Sequence, residues 1–225
     1  MSLVKICGLS TPETLEAALG AGADLVGFVH FPRSPRHIAL EPGRALAAGV
    51  RGRALKVALL VDPDDATLDA VVAALDPDLI QLHGTESPGR VAAIRARTGR
   101  PVMKAVGIAE RADLAALERY RGAADRILLD AKPPKSAGAL PGGNGIAFDW
   151  RLVAGLDAGG LDPATSFMLS GGLTPDNVGT AIALTGARSV DVSSGVEVRP
   201  GEKDPARIEA FVKAARAAWA APPQG

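Results

Sequence analysis

The chain has 225 residues, with 25 Lys and Arg against 25 Asp and Glu, so its formal net charge is zero. Balanced charge without a basic cluster excludes a general nucleic-acid binder, which needs a positive footprint. One Cys excludes an internal disulfide and any multi-cysteine zinc or iron–sulfur site, and no apolar run reaches the roughly 18 residues of a membrane span. The opening MSLVKICGLSTPE lacks the charged and apolar regions of a signal peptide, so the expectation is a cytoplasmic protein.

Residues 3–7 are apolar, too short for a helix, and predict a first strand. Thr11-Pro12-Glu13 then puts proline at a first helical position, ahead of Leu15, Ala18 and Leu19. Residues 25–29 predict a second strand, followed by the loop from His30 to His37 and a second proline start at Glu41-Pro42. Residues 55–61 predict the third strand, with Asp64 capping a helix over 66–75. Residues 79–82 give the fourth, and Ser87-Pro88 opens the helix behind it. Residues 102–106 and 127–130 predict the fifth and sixth strands, and 167–170 and 190–192 the last two. Proline starts recur at Thr174-Pro175-Asp176 and Asp204-Pro205-Ala206.

Apolar runs rich in Val, Ile and Leu, without period-2 alternation, read as strands buried on both faces of a parallel sheet. Eight strand–helix units in one chain, the sixth longer than the rest, fit a single-domain (β/α)8 TIM barrel over residues 1–219, with 220–225 as a disordered tail. An open doubly wound sheet would carry G-x-G-x-x-G after its first strand, whereas this chain has Cys7-Gly8-Leu9.

In such a barrel the active site lies at the C-terminal ends of the strands, so the residues that end each run are the candidates. Cys7 ends the first. Read without its place it is a small buried hydrophobe, but at a strand mouth it is a candidate catalytic thiolate. Lys5 points to the same strand face and is the candidate to favour the thiolate. Asp130 ends the sixth strand, before a long Gly/Pro/Lys-rich loop carrying Lys132, Lys135 and Gly142-Gly143-Asn144-Gly145, and could form an acid–base pair with Cys7. Gly171 and Gly172 after the seventh strand, and Ser194 and Gly195 after the eighth, suit a phosphate. Arg33 and Arg36 could pair with a carboxylate. Gln81, His83 and Asp191 are candidate mouth-lining residues. His30, His37 and His83 show no metal-ligand spacing, so no metal is expected.

These residues fall in an ordered set of motifs: Lys5-Ile6-Cys7-Gly8, Ser34-Pro35-Arg36, Gln81-Leu82-His83-Gly84, Leu128-Leu129-Asp130, Gly142-Gly143-Asn144-Gly145, Leu169-Ser170-Gly171-Gly172-Leu173-Thr174-Pro175 and Asp191-Val192-Ser193-Ser194-Gly195-Val196-Glu197, then Lys203-Asp204. The set, spread from residue 3 to about 215, resembles phosphoribosylanthranilate isomerases of tryptophan biosynthesis. That resemblance implies a TIM-barrel isomerase performing an Amadori rearrangement of N-(5-phosphoribosyl)anthranilate. It implies Asp130 as general acid, Cys7 as general base, Arg36 facing the anthranilate carboxylate, and Gly171, Gly172, Ser194 and Gly195 at the phosphate. No cofactor is implied. The partner is a small phosphosugar–anthranilate, with neither nucleic acid nor membrane, and a homodimer remains open. The alternatives are another phosphosugar isomerase barrel, or a non-catalytic barrel that binds a phosphate ligand.

Overall fold

All eight expected strands form in the computed structural model, which describes residues 2–133, 140–143, 145, 147–156 and 167–221. They are β1 (Leu3–Cys7), β2 (Leu25–Val29), β3 (Leu55–Leu60), β4 (Leu79–Leu82), β5 (Val102–Ile108), β6 (Arg126–Ala131), β7 (Met168–Leu169) and β8 (Ser189–Val192). Each pairs in parallel with the next, and β8 closes the barrel on β1 with Lys5 opposite Asp191. A short antiparallel hairpin, β9 (Glu197–Arg199) and β10 (Glu202–Lys203), follows β8.

Strand alternation divides the side chains into two sets. Val4, Ile6, Val26, Phe28, Ala58, Leu60, Ile80, Leu82, Leu129 and Val190 face outward into the main core, under the helices. Leu25, Val57, Leu79, Met103, Leu128 and Met168 fill the barrel interior. Continuing the interior set toward the strand ends brings in Lys5, Cys7, Gln81, His83, Asp130, Ser170 and Asp191. The period that builds the core therefore also aims these polar groups into the mouth.

The helices are α1 (Pro12–Gly20), α2 (Leu40–Val50), α3 (Asp65–Leu75), α4 (Pro88–Thr98), α5 (Ala115–Tyr120), α6 (Val178–Thr185) and α7 (Pro205–Ala220). Thr11, Asp64, Ser87 and Asp204 cap α1, α3, α4 and α7 as read from the sequence, each accepting backbone N–H bonds in the first turn.

Two proline starts need correction. α2 begins at Leu40 behind Ala39, which has no capping side chain, so Pro42 is third in the helix; its missing N–H is still one of those a helix leaves unbonded. α6 begins at Val178, because Thr174 to Asn177 form a turn in which Asn177 Oδ1 accepts the Thr174 N–H at 2.8 Å. In the sixth unit the described residues carry a short 3-10 turn (Trp150–Val153) where a helix was expected. β5 runs past Val106 because Gly107, which interrupts the apolar run, still pairs with Asp130. α7 includes Ala220, assigned above to the tail, and residues 222–225 lie outside the described residues.

Candidate active site

Of the cavities that open at the C-terminal mouth of the barrel among the described residues, two share lining residues at the end of β8. The first, about 460 Å³, has an apolar wall of Val29, Phe31, Leu59 and Val61, with Cys7, Arg36, Gln81 and His83 set into it. The second, about 330 Å³, is lined by Asp130, Gly171, Gly172 and Ser194, with Gly143 and Gly145 of the loop after β6. Asp191 and Ser193 line both.

Cys7 is buried at the end of β1, and its carbonyl accepts the Ser193 hydroxyl at 3.2 Å. Two residues earlier on the same face, Lys5 is fully buried and donates to Asp191 Oδ1 at 2.7 Å. The other oxygen of Asp191 accepts from Ser170 at 3.2 Å. Burial alone would lower Lys5, yet the charges of Asp191 and Cys7 outweigh it and hold Lys5 above its ordinary value. For Cys7 the balance falls the other way. Burial pushes the thiol up, Asp191 reinforces that, and the opposing Lys5 ammonium does not overcome it. Lys5 thus works toward the thiolate, but burial outweighs it.

Asp130 is buried at the end of β6. Its Oδ1 accepts the Ala131 N–H at 2.8 Å and its Oδ2 lies 3.2 Å from His83 Nε2. The His83 ring contacts Gln81 Nε2 through Nδ1 at 3.3 Å. Gln81, His83 and Asp130 therefore form one chain across β4 and β6.

Arg36 is buried and doubly held by Glu197, with Nε on Oε1 at 2.7 Å and Nη2 on Oε2 at 2.9 Å. Nη2 also reaches the Gly143 carbonyl at 3.1 Å. Glu197 accepts from Lys203 at 2.6 Å, and Lys203 in turn holds the Ser193 carbonyl at 2.9 Å. Burial would raise Glu197, but the two cations hold it below the usual carboxylate range; burial pulls Lys203 down. The hairpin is fixed on the loop after β2 through Gly201, where a Cβ would lie 2.4 Å from the Pro35 carbonyl oxygen.

Gly171 and Gly172 take left-handed backbone (φ +83° and +65°), which favours glycine. Gly195 differs from the other phosphate candidates because it does not line the second cavity. A Cβ there would sit 1.8 Å from the Leu173 carbonyl oxygen, so its bareness lets the two glycine loops pack together. Lys132 turns away to Asp113 at 2.7 Å. Lys135 and Asn144 lie outside the described residues. Sequence reasoning gave no roles to Glu197 and Lys203, although both stood in the quoted motifs. A charged pair bracketing Pro200-Gly201, a hairpin turn signal, was the available clue.

A closed eight-stranded barrel, with its ionisable groups gathered at the C-terminal mouth and two glycine loops after β7 and β8, defines the class of (β/α)8-barrel enzymes. The family model described as N-(5'phosphoribosyl)anthranilate (PRA) isomerase matches residues 4–214. An N-(5'-phosphoribosyl)anthranilate isomerase of Azorhizobium caulinodans is 64% identical over 218 residues, covering 97% of this chain and 93% of that protein. The crystal structure of phosphoribosyl anthranilate isomerase from Thermotoga maritima superposes with a TM-score of 0.81 at 35% identity, over 96% of this chain and 100% of that one. A phosphoribosyl anthranilate isomerase in complex with reduced 1-(o-carboxyphenylamino)-1-deoxyribulose 5-phosphate gives 0.78 at 34%, with the same coverage. The chain belongs to the N-(5'-phosphoribosyl)anthranilate isomerase family. Among the described residues no helix is long and apolar enough to cross a membrane.

Proposed function

We propose that this mouth isomerises N-(5-phosphoribosyl)anthranilate to 1-(2-carboxyphenylamino)-1-deoxyribulose 5-phosphate, within tryptophan biosynthesis, with Asp130 as acid and Cys7 as base. The observation that carries the reading is the pair of cavities meeting at Asp191 and Ser193. One is apolar with an arginine and suits an aromatic carboxylate; the other is glycine-rich and suits a phosphate. A ribose joining the two ends would cross the junction, with Cys7 lining the first cavity and Asp130 the second.

In that pose Asp130 gives its proton to the ribose ring oxygen. The C1–O bond breaks and the anthranilate nitrogen lone pair forms the C=N bond of a Schiff base. Cys7 as thiolate removes the C2 proton, leaving an enolamine. Loss of the proton on the C2 hydroxyl and protonation at C1 give the ketone. The C1–O electron pair stays on the oxygen that Asp130 protonates and every other step is a proton transfer, so electrons balance without a cofactor. His83, within 3.2 Å of Asp130, orients the acid.

The test supplies phosphoribosylanthranilate generated in situ and follows the decay of its fluorescence. Wild-type protein should accelerate the decay, and Asp130→Asn should lower kcat about 10²-fold or more while substrate still binds. An Asn variant with near-normal kcat would remove Asp130 from the acid role.

A further inference from the structure

The buried trio of Lys5, Cys7 and Asp191 carries a charge arrangement that the reaction steps above do not use. Lys5 and Asp191 face each other on β1 and β8 at 2.7 Å, each nearly or wholly removed from solvent. Gly27, opposite Cys7 on β2, has no side chain to separate the two groups. A Cβ there would lie 3.1 Å from Cys7 Sγ and 3.3 Å from Lys5 Cε, so the lysine end and the thiol occupy one small space. The ammonium is shared between a carboxylate it always faces and a sulfur that is charged only as thiolate.

We propose that Lys5 is a positioning residue that stabilises the Cys7 thiolate, and that Asp191 limits this by holding part of the ammonium's charge. The inference deepens the reading of Cys7 as base and rests on it only for its catalytic meaning. Of the charged groups near the sulfur, Lys5 comes from β1, Asp191 from β8 and Lys203 from β10, while Arg36 and His83 line the same cavity. Glu197 already occupies both Arg36 and Lys203. Lys5 is thus the cation whose partition between sulfur and carboxylate sets the thiolate population.

The two partners should then act with opposite signs. Cys7 is the only cysteine, so alkylation by iodoacetamide reports its thiolate directly and without turnover. At a fixed pH of about 8.5, near the ordinary thiol value, Lys5→Met should slow alkylation about 10-fold or more. Asp191→Asn should speed it by a smaller factor, since the ammonium is released to the sulfur but Lys5 acts on the thiol more strongly than Asp191 does. If Lys5→Met fails to fold, the double variant Lys5→Met/Asp191→Asn removes both buried charges together and should still alkylate more slowly than wild type. Unchanged or slower alkylation in Asp191→Asn would overturn the inference, as would a double variant that reacts as fast as wild type. Opposite shifts in alkylation without matching shifts in the kcat/KM profile would uphold the charge arrangement and reject Cys7 as base. An inactive Cys7→Ser protein beside unshifted alkylation in the charge variants would do the reverse.

Discussion

Gly142 meets His83 through an absent side chain: a Cβ on Gly142 would lie 2.6 Å from the imidazole Nε2 and 2.8 Å from Asp130 Oδ2. Its backbone is not left-handed, so the constraint is space alone. Gly142→Ala should therefore leave stability nearly unchanged while pushing the His83 ring off Asp130. We expect kcat to fall by about 10-fold or more, since small misplacements at a reacting centre are that costly. Steady-state kinetics beside thermal melting check this, and a kinetically normal variant would dissociate the loop from the acid.

Cys7 should show its burial in the pH profile. The base form is the thiolate, so kcat/KM rises with pH as the free enzyme's thiol ionises. Burial pushes that ionisation above the ordinary thiol value of about 8.5, so activity should still be climbing at that pH. Cys7→Ser should abolish the ionisation and most turnover, by roughly 10²–10⁴-fold. A profile flat from neutrality upward would contradict both statements.

For Arg36, a contact with the substrate carboxylate persists from ground state to transition state. Arg36→Met should therefore raise KM more than it lowers kcat. Glu197→Gln, which keeps the shape but removes the charge that clamps the guanidinium, should raise KM by a smaller factor. A substrate analogue lacking the carboxylate should distinguish neither variant from wild type.

The remaining prediction concerns stability. Lys104, buried on β5, donates to Glu86 at 2.8 Å and to the Gly84 carbonyl at 2.8 Å. Glu86 in turn accepts the backbone N–H groups of Asp62 and Gly84, tying the loops after β3 and β4 together next to His83. Lys104→Met strands a buried carboxylate and should cost about 3–5 kcal/mol in denaturant unfolding. A loss below about 1 kcal/mol would mean that the backbone N–H groups alone satisfy Glu86.

The barrel was legible because each strand is a dense apolar run and period-2 geometry aims its last polar residue into the mouth. Cys7, His83 and Asp130 were read that way, by position alone, whereas Asp191 entered only with the motif Asp191-Val192-Ser193. Helix starts were legible at Thr11 and Ser87, where a capping side chain precedes the proline, and not at Pro42, where Ala39 offers none, nor at Pro175, where Thr174 enters a turn closed by Asn177 instead. What stayed hidden depends on pairing between distant residues. Arg36 and Glu197 are 161 positions apart and Lys5 and Asp191 186 apart, and no local pattern signals either contact. Gly195 shows a related limit: a glycine that admits a ligand and one that admits a neighbouring loop look alike in sequence, and a Cβ at Gly195 would meet the Leu173 carbonyl oxygen.

The two-point grip of Glu197 on Arg36 also bears on the entropy of recognition. A free surface arginine carries about 2 kcal/mol of rotamer freedom, which is lost when it captures an anion. Here the side chain is already confined to one orientation before any anion arrives, with Nη1 held beside the space above Gly143. The disorder that association would otherwise remove from this residue was surrendered when the chain folded.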